Sequence, residues 1–343
     1  MSPLAEVEVR FAIKRPGADK APGPDGFPNR VLQGLEELLT PRLTALFNEC
    51  LTAGLCPDHF RVVKTIALRK PGKDDYSKPK AYRRIALLNT MGKVLEACVA
   101  VRLSYFAEQY HLLPENHYGG RKGQGTETAL YAMIETIKTA WKQGKIATAL
   151  FLGISGAFDN VSLARLLHNL KRRGVPTRLV NWIASFLQDR YTTLELPDYH
   201  RPKAKVNTGI PQGSPLSPIL YLFYNADLVG SSPSNIGYID DSTMVAQGTT
   251  EEENCRSLAL RFTDTCEVWS RTHASVFAPE KFTLVHFRPP ATGRRREPVV
   301  QAPDDATLDL GGGRIVNPSE SAKLLGVILD QHLNFEEHMK SVD

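Results

Sequence analysis

Two aspartates stand side by side between apolar segments in Ile236-Gly-Tyr-Ile-Asp-Asp-Ser-Thr-Met-Val-Ala246. Such a stretch predicts a strand, a tight acidic turn and a second strand. Adjacent carboxylates at a hairpin tip repel each other, and burying them is costly without a counter-charge. A divalent cation supplies that charge, and hard carboxylate oxygens suit magnesium. Read alone, the pair also suits an exposed Asp-Asp turn. The flanks Gly237-Tyr238 and Ser242–Val245 favour a strand pair that presents the acids into a cleft.

The surrounding chain alternates helical patterns with short apolar runs, which predicts an α/β or α+β layered fold. Its 343 residues allow two domains or one large domain with lobes. Residues 1–57 read as helical, broken by the turn-rich Lys20–Gly26. Val62–Leu68 and the breaker Lys70-Pro-Gly-Lys73 predict a hairpin arm, and 87–111 a long helix after an Asn-Thr start. Thr126 is a candidate cap for the next helix, Ala147–Ile154 a buried strand, and Ser162 the cap of a leucine-faced helix. Ser217-Pro218 opens another helix, residues 288–313 read as a loop or linker, and Lys323–Leu329 as a final strand.

Composition excludes several classes. With 42% hydrophobic and 23% charged residues the chain is an ordinary globular one. Five cysteines without a C-x-x-C pair argue for a reducing compartment, against a disulfide scaffold and against a zinc ribbon. The longest apolar stretch, Ile146–Ile154, is too short to cross a bilayer, and no signal-peptide core follows Met1. Gly119–Gly125 lacks the Gly-Lys-Ser/Thr ending of a P-loop. A net charge of +5 permits nucleic-acid binding without requiring it. Clustering says more: Lys64, Arg69, Lys70, Lys73, Lys78, Lys80, Arg83 and Arg84 crowd into about twenty residues, as a phosphate-binding surface needs and as a solvated arm also allows. Arg294–Arg296 adds a further basic run, with a nuclear address as a second reading.

Two more segments carry candidate chemistry. Gly209-Ile-Pro-Gln-Gly-Ser-Pro-Leu-Ser217 is a constrained loop entering a helix, able to press closely on a base or sugar. Phe151-Leu-Gly-Ile-Ser-Gly-Ala-Phe-Asp159 joins a buried strand to a helix, where ligand-facing residues of α/β sheets collect. In chain order these three segments resemble motifs A, B and C of reverse transcriptases, nearest the non-LTR retrotransposon (LINE-like) type. Lys20-Ala-Pro-Gly-Pro-Asp-Gly-Phe-Pro28, Ala81-Tyr-Arg-Arg-Ile-Ala-Leu-Leu-Asn-Thr90 and His117-Tyr-Gly-Gly-Arg121 resemble fingers motifs of that family. Val276–Lys281 resembles motif D, and Lys323–Asp330 motif E. The resemblance covers almost the whole chain.

The resemblance implies a right-hand polymerase fold, α/β with an α+β palm, and a truncated thumb. Residues 1–145 would be fingers with part of the palm, 146–290 the palm with motifs A to D, and 291–343 a linker, the motif E strand and the start of the thumb. It implies Mg2+-dependent nucleotidyl transfer on an RNA template and DNA primer with deoxynucleoside triphosphates, in which carboxylates clamp two metal ions. By the same resemblance Asp240 and Asp241 hold metal, Phe158 selects the sugar, and Gln212 and Gly213 meet the nucleotide and templating base. Arg83 and Lys70 meet the triphosphate, and Lys281 is the general acid toward pyrophosphate, with a plain surface lysine as the alternative. A viral RNA-directed RNA polymerase shares the palm, but Tyr238 and Phe158 count against it.

Motif A departs from the family where it matters. The family's aspartate lies five residues before the bulky Phe158, and that position holds Gly153. Asp159 lies six residues further on, beyond the strand end, and is a poor substitute. Arg84 stands at the family's proline. Loss of one preorganised transition-state group costs about 10²–10³ in rate, and a ligand shared by two metals at least that. The expectation is a reverse transcriptase domain of impaired activity, with a catalytically dead, at most nucleic-acid-binding remnant as the alternative. Absence of an endonuclease segment and of a full thumb predicts a truncated copy. The parent type predicts a nuclear or cytoplasmic ribonucleoprotein, a mitochondrial address being weaker, and no membrane partner.

Overall fold

The computed structural model describes residues 2–196, 199–290 and 306–342. The basic run Arg294–Arg296 and most of the expected 288–313 linker lie outside the described residues. The chain folds into two compact units, each built from two separated stretches: residues 1–112 with 158–224, and residues 113–157 with 225–343.

The first unit holds a four-stranded sheet. Val62–Arg69 and Tyr82–Leu88 form the expected antiparallel arm, with Val63 opposite Leu88 and Arg69 opposite Tyr82. On its other side Val62–Arg69 runs parallel to Arg190–Leu196, which pairs in turn with Tyr199–Val206. The helix Thr90–Gln109 starts where the Asn-Thr signal puts it, the Asn89 side chain accepting the Gly92 N–H at 3.0 Å. Ser162 likewise caps Leu163–Arg172. Leu166 and Leu170 of that helix are fully buried, as are Trp182 and Phe186 of Thr177–Leu187.

The second unit is built on the antiparallel sheet of Thr283–Phe287, Ile146–Leu152, Asp241–Gly248 and Ile236–Tyr238, in that spatial order. Ala147, Ala149, Val245, Val285 and Phe287 pack under the helix Thr126–Lys142 through Ala129, Met133 and Ile137. A continuous apolar strand in the centre of a sheet is what burial on both faces demands.

Two local expectations are corrected. Lys323–Leu329 is not one strand but a hairpin, Ser321–Leu324 against Val327–Asp330, because Leu325 (φ 50°) and Gly326 (φ 95°) turn the chain back. Positive φ at both central residues suits a two-residue hairpin loop. Thr126 is the first helical residue rather than the cap, and Gly125 holds the cap position without a side chain to accept a bond. Among the described residues no helix is long and apolar enough to cross a membrane.

Candidate active site

The acidic hairpin has the form its sequence predicts. Tyr238 pairs with Asp241, leaving Ile239-Asp240 as a two-residue turn. Ile239 sits at φ 54°, where a β-branched side chain is strained. Its neighbours hold it there. The Asn225 amide donates to the Ile239 carbonyl at 2.7 Å, and the Asn225 carbonyl oxygen lies 3.0 Å from His117 Nε2. Tyr118 N–H donates to Gly237 O at 2.8 Å. Gly119 presses so close that a Cβ there would lie 2.6 Å from the Ile239 nitrogen, so only glycine fits.

Register then sets what faces the acids. The pairing ends at Leu152 opposite Ser242, so Gly153 follows the last paired residue of one strand and Asp241 precedes its partner on the other. Lys281, in the short helical turn Pro279–Lys281, lays its side chain over Gly153. Asp240 and Asp241 are exposed at their own surfaces, yet the protein crowded around them withholds enough water to raise both carboxyls. For Asp240, desolvation outweighs a backbone hydrogen bond and the attraction of Lys281. For Asp241, desolvation and then repulsion from Asp240 push it up to about 6. The two neighbouring carboxylates are thus left short of compensating positive charge. A three-carboxylate set is not present: Gly153 offers no ligand, and among the described residues no group of three or more His, Cys, Asp or Glu side chains is placed to hold a metal ion.

The remaining sequence-predicted residues gather in the first unit. The 209–213 loop is strapped on one side by Gly209 N–H to Val161 O (2.9 Å) and Ile210 N–H to Phe158 O (2.8 Å). On the other side Ala86 N–H donates to Gln212 O at 2.7 Å. Gly213 adopts φ 132°, and a Cβ there would run into the Ala86 carbonyl oxygen. Phe158, half-buried, stacks on Tyr221 with ring centroids 5.2 Å apart and planes 7° from parallel. Phe158, Gln212, Gly213 and the Arg83–Arg84 strand are thus tied into one neighbourhood. Arg83 is exposed, whereas Arg84 pairs with Asp159 at 2.6 Å. That ion pair occupies the carboxylate that sequence considered as a stand-in for the motif A aspartate. Lys70 is further out on the arm, its ammonium donating to Lys80 O at 2.9 Å. Of the basic cluster, Lys64 pairs with Glu195 and Lys78 with Asp75, so part of it is structural.

Asn225, Glu96 and Arg190 support the site and escape motif reading. Asn225 and His117 support the acid turn, both fully buried. Glu96, also buried, receives the Ser214 hydroxyl in a very short hydrogen bond, and Ser214 Oγ accepts Leu216 N–H at 3.1 Å. Arg190 donates to Thr208 O at 3.0 Å and to Gly209 O. The available signal was a lone strongly polar residue in an apolar helical stretch: Glu96 in Val94–Val101, Asn225 in Ile219–Ala226. Such residues are expensive inside unless bonded.

A family model described as "Reverse transcriptase (RNA-dependent DNA polymerase)" matches residues 68–329. The chain is 28% identical over 352 residues to the "Probable RNA-directed DNA polymerase from transposon X-element" of Drosophila melanogaster, covering 100% of this chain and 37% of that protein. It is 27% identical to the corresponding protein from transposon BS and 26% to that from mobile element jockey, both of Drosophila melanogaster. Each match covers 99% of this chain and 37% of the relative, so the chain spans little more than a third of their length.

Proposed function

The chain belongs to the reverse transcriptase (RNA-dependent DNA polymerase) family, and from that premise we propose that it is the polymerase region of a non-LTR retrotransposon protein, descended from template-directed DNA synthesis and impaired in it. The substrates of the parent activity are an RNA template, a DNA primer and deoxynucleoside triphosphates. The regions carry over as fingers at 1–145, palm at 146–290, and linker with the start of a thumb at 291–343.

In this reading Asp240 and Asp241 hold one divalent ion, Mg2+ being the family's usual metal, which orients and polarises phosphoryl oxygens when bound. The residues present do not make up the set for a second ion. Arg83 and Lys70 attract the triphosphate, and Arg83 suits that role because its guanidinium is exposed and can bond phosphate bidentately. Nothing larger than glycine fits at Gly213, and the Gln212–Gly213 backbone is the surface that meets the nucleotide and the templating base. The Phe158 ring, braced by Tyr221, would select the sugar by refusing a ribose 2′-hydroxyl. Lys281 is the general acid toward the leaving pyrophosphate. The work would take place in a nuclear or cytoplasmic ribonucleoprotein with the template.

The observation that carries impairment is Gly153, one residue past the pair of Leu152 with Ser242 and without a side chain to bind an ion. Its consequence is a domain that still engages nucleic acid. Fluorescence anisotropy on an RNA–DNA primer–template tests this: binding should weaken steeply with salt, as phosphate contacts do. No binding at low salt, or binding indifferent to salt, would overturn the proposal.

A further inference from the structure

Gly153 and Lys281 are locked together from both ends. A Cβ at 153 would lie 2.8 Å from Lys281 Cβ and 3.1 Å from its Cδ. The first of these atoms is fixed to the backbone, so a rotamer change cannot remove the conflict. Nor can the turn swing aside easily. Ala278 N–H donates to Gly153 O at 2.8 Å and Lys281 N–H to Ala278 O at 2.9 Å. Upstream, Phe277 pairs with Ile154, and downstream, Thr283 pairs with Phe151. The turn bearing Lys281 is thus stitched to the strand segment on either side of Gly153.

We propose that Lys281 has taken over the place of the absent carboxylate, its stem filling the space over Gly153, so that a single Gly153→Asp change does not rebuild a two-ion centre. Restoring the ligand requires removal of the Lys281 side chain as well, down to glycine because its Cβ is part of the obstruction. The inference rests on the reading of Asp240 and Asp241 as a cation-holding pair.

Mn2+ binding to the full chain, followed by the loss of the free-ion electron paramagnetic resonance signal, tests it without requiring turnover. The unmodified chain should take one weak ion, and Gly153→Asp should bind no more tightly. Gly153→Asp/Lys281→Gly should gain about 10-fold or more in affinity, since even indirect ligand support carries 10–100-fold, and should take a second ion. A comparable gain by Gly153→Asp alone, or a double variant no better than the single one, would overturn the inference. If Gly153→Asp does not fold, Gly153→Ala serves: its unfolding midpoint should fall and be partly restored by adding Lys281→Gly, and an unchanged midpoint removes the steric premise. Asp240→Ala separates the two readings. If it leaves the Mn2+ binding of the unmodified chain intact, the acid pair is no cation site and the parent proposal falls first.

Discussion

The Asn225 amide donates to the carbonyl of Ile239, the residue whose positive φ makes the acidic turn possible. Because the amide nitrogen is committed there, the Asn225 oxygen faces His117 Nε2, and His117 carries its proton on that nitrogen. Truncating Asn225 would strand a carbonyl on a strained turn and a ring N–H in the interior. Asn225→Ala should cost about 1–3 kcal/mol in urea unfolding. A cost below about 0.5 kcal/mol, within the range of an ordinary surface change, would mean that the turn holds itself.

Two buried groups should make stability respond to pH in opposite directions. Burial lowers His117 from its ordinary value to about 4, so the unfolded chain binds the extra proton between about 4 and 6.5. Its contribution is present above 6.5 and is lost as pH falls through that window. Burial raises Glu96 to about 7 against the opposing Ser214 hydrogen bond and the charges of Lys93 and Arg190. Its contribution is full below the ordinary carboxyl value and is lost as pH rises to about 7. The terms oppose in the unmodified chain, each on the order of 3 kcal/mol at most. Glu96→Gln should leave stability rising from pH 4 to 6.5, and His117→Gln should leave it falling from pH 4.5 to 7. Parallel profiles for the two variants would contradict the assignment.

Gly213 combines positive φ with a carbonyl where a side chain would begin. Gly213→Ala should destabilise by more than about 1 kcal/mol, beyond the entropy gain that alanine brings elsewhere. Hydrogen exchange should localise the loosening to the 209–217 loop and to the Ala86 amide that donates to Gln212. Unchanged protection of the Ala86 amide would show that the strap is dispensable.

The Arg84–Asp159 pair is largely solvent-exposed on the arginine side. Arg84→Ala should therefore change stability by no more than about 1 kcal/mol. It should not confer Mn2+ binding on Asp159, since this carboxylate and the Asp240–Asp241 pair belong to separate motifs. A new Mn2+ site in Arg84→Ala that Asp159→Asn abolishes would reopen Asp159 as a substitute ligand.

The sequence made local features legible where a residue's own chemistry decides its conformation. Asn89 and Ser162 cap helices because short polar side chains bond the free N–H groups of a first turn. The acid hairpin was visible because its flanks alternate apolar and small residues around the turn. The strand Arg190–Leu196 was not, since its partner Val62–Arg69 lies more than a hundred residues away. Lys323–Leu329 misled because an apolar run interrupted only by Gly326 conceals the turn at Leu325-Gly326. The absent ligand at Gly153 could be counted along the chain from Phe158. That Lys281 covers it could not, because the contact depends on the pairing of Ile154 with Phe277 and of Phe151 with Thr283.

The most direct test of the central claim is primer extension on an RNA template with deoxynucleotides and Mg2+. The unmodified chain, Gly153→Asp/Lys281→Gly and the same double variant carrying Asp240→Ala should be assayed side by side. The account predicts no extension by the unmodified chain, slow extension by the double variant, and silence again without Asp240. Extension by the unmodified chain at a rate the double variant does not exceed would contradict it.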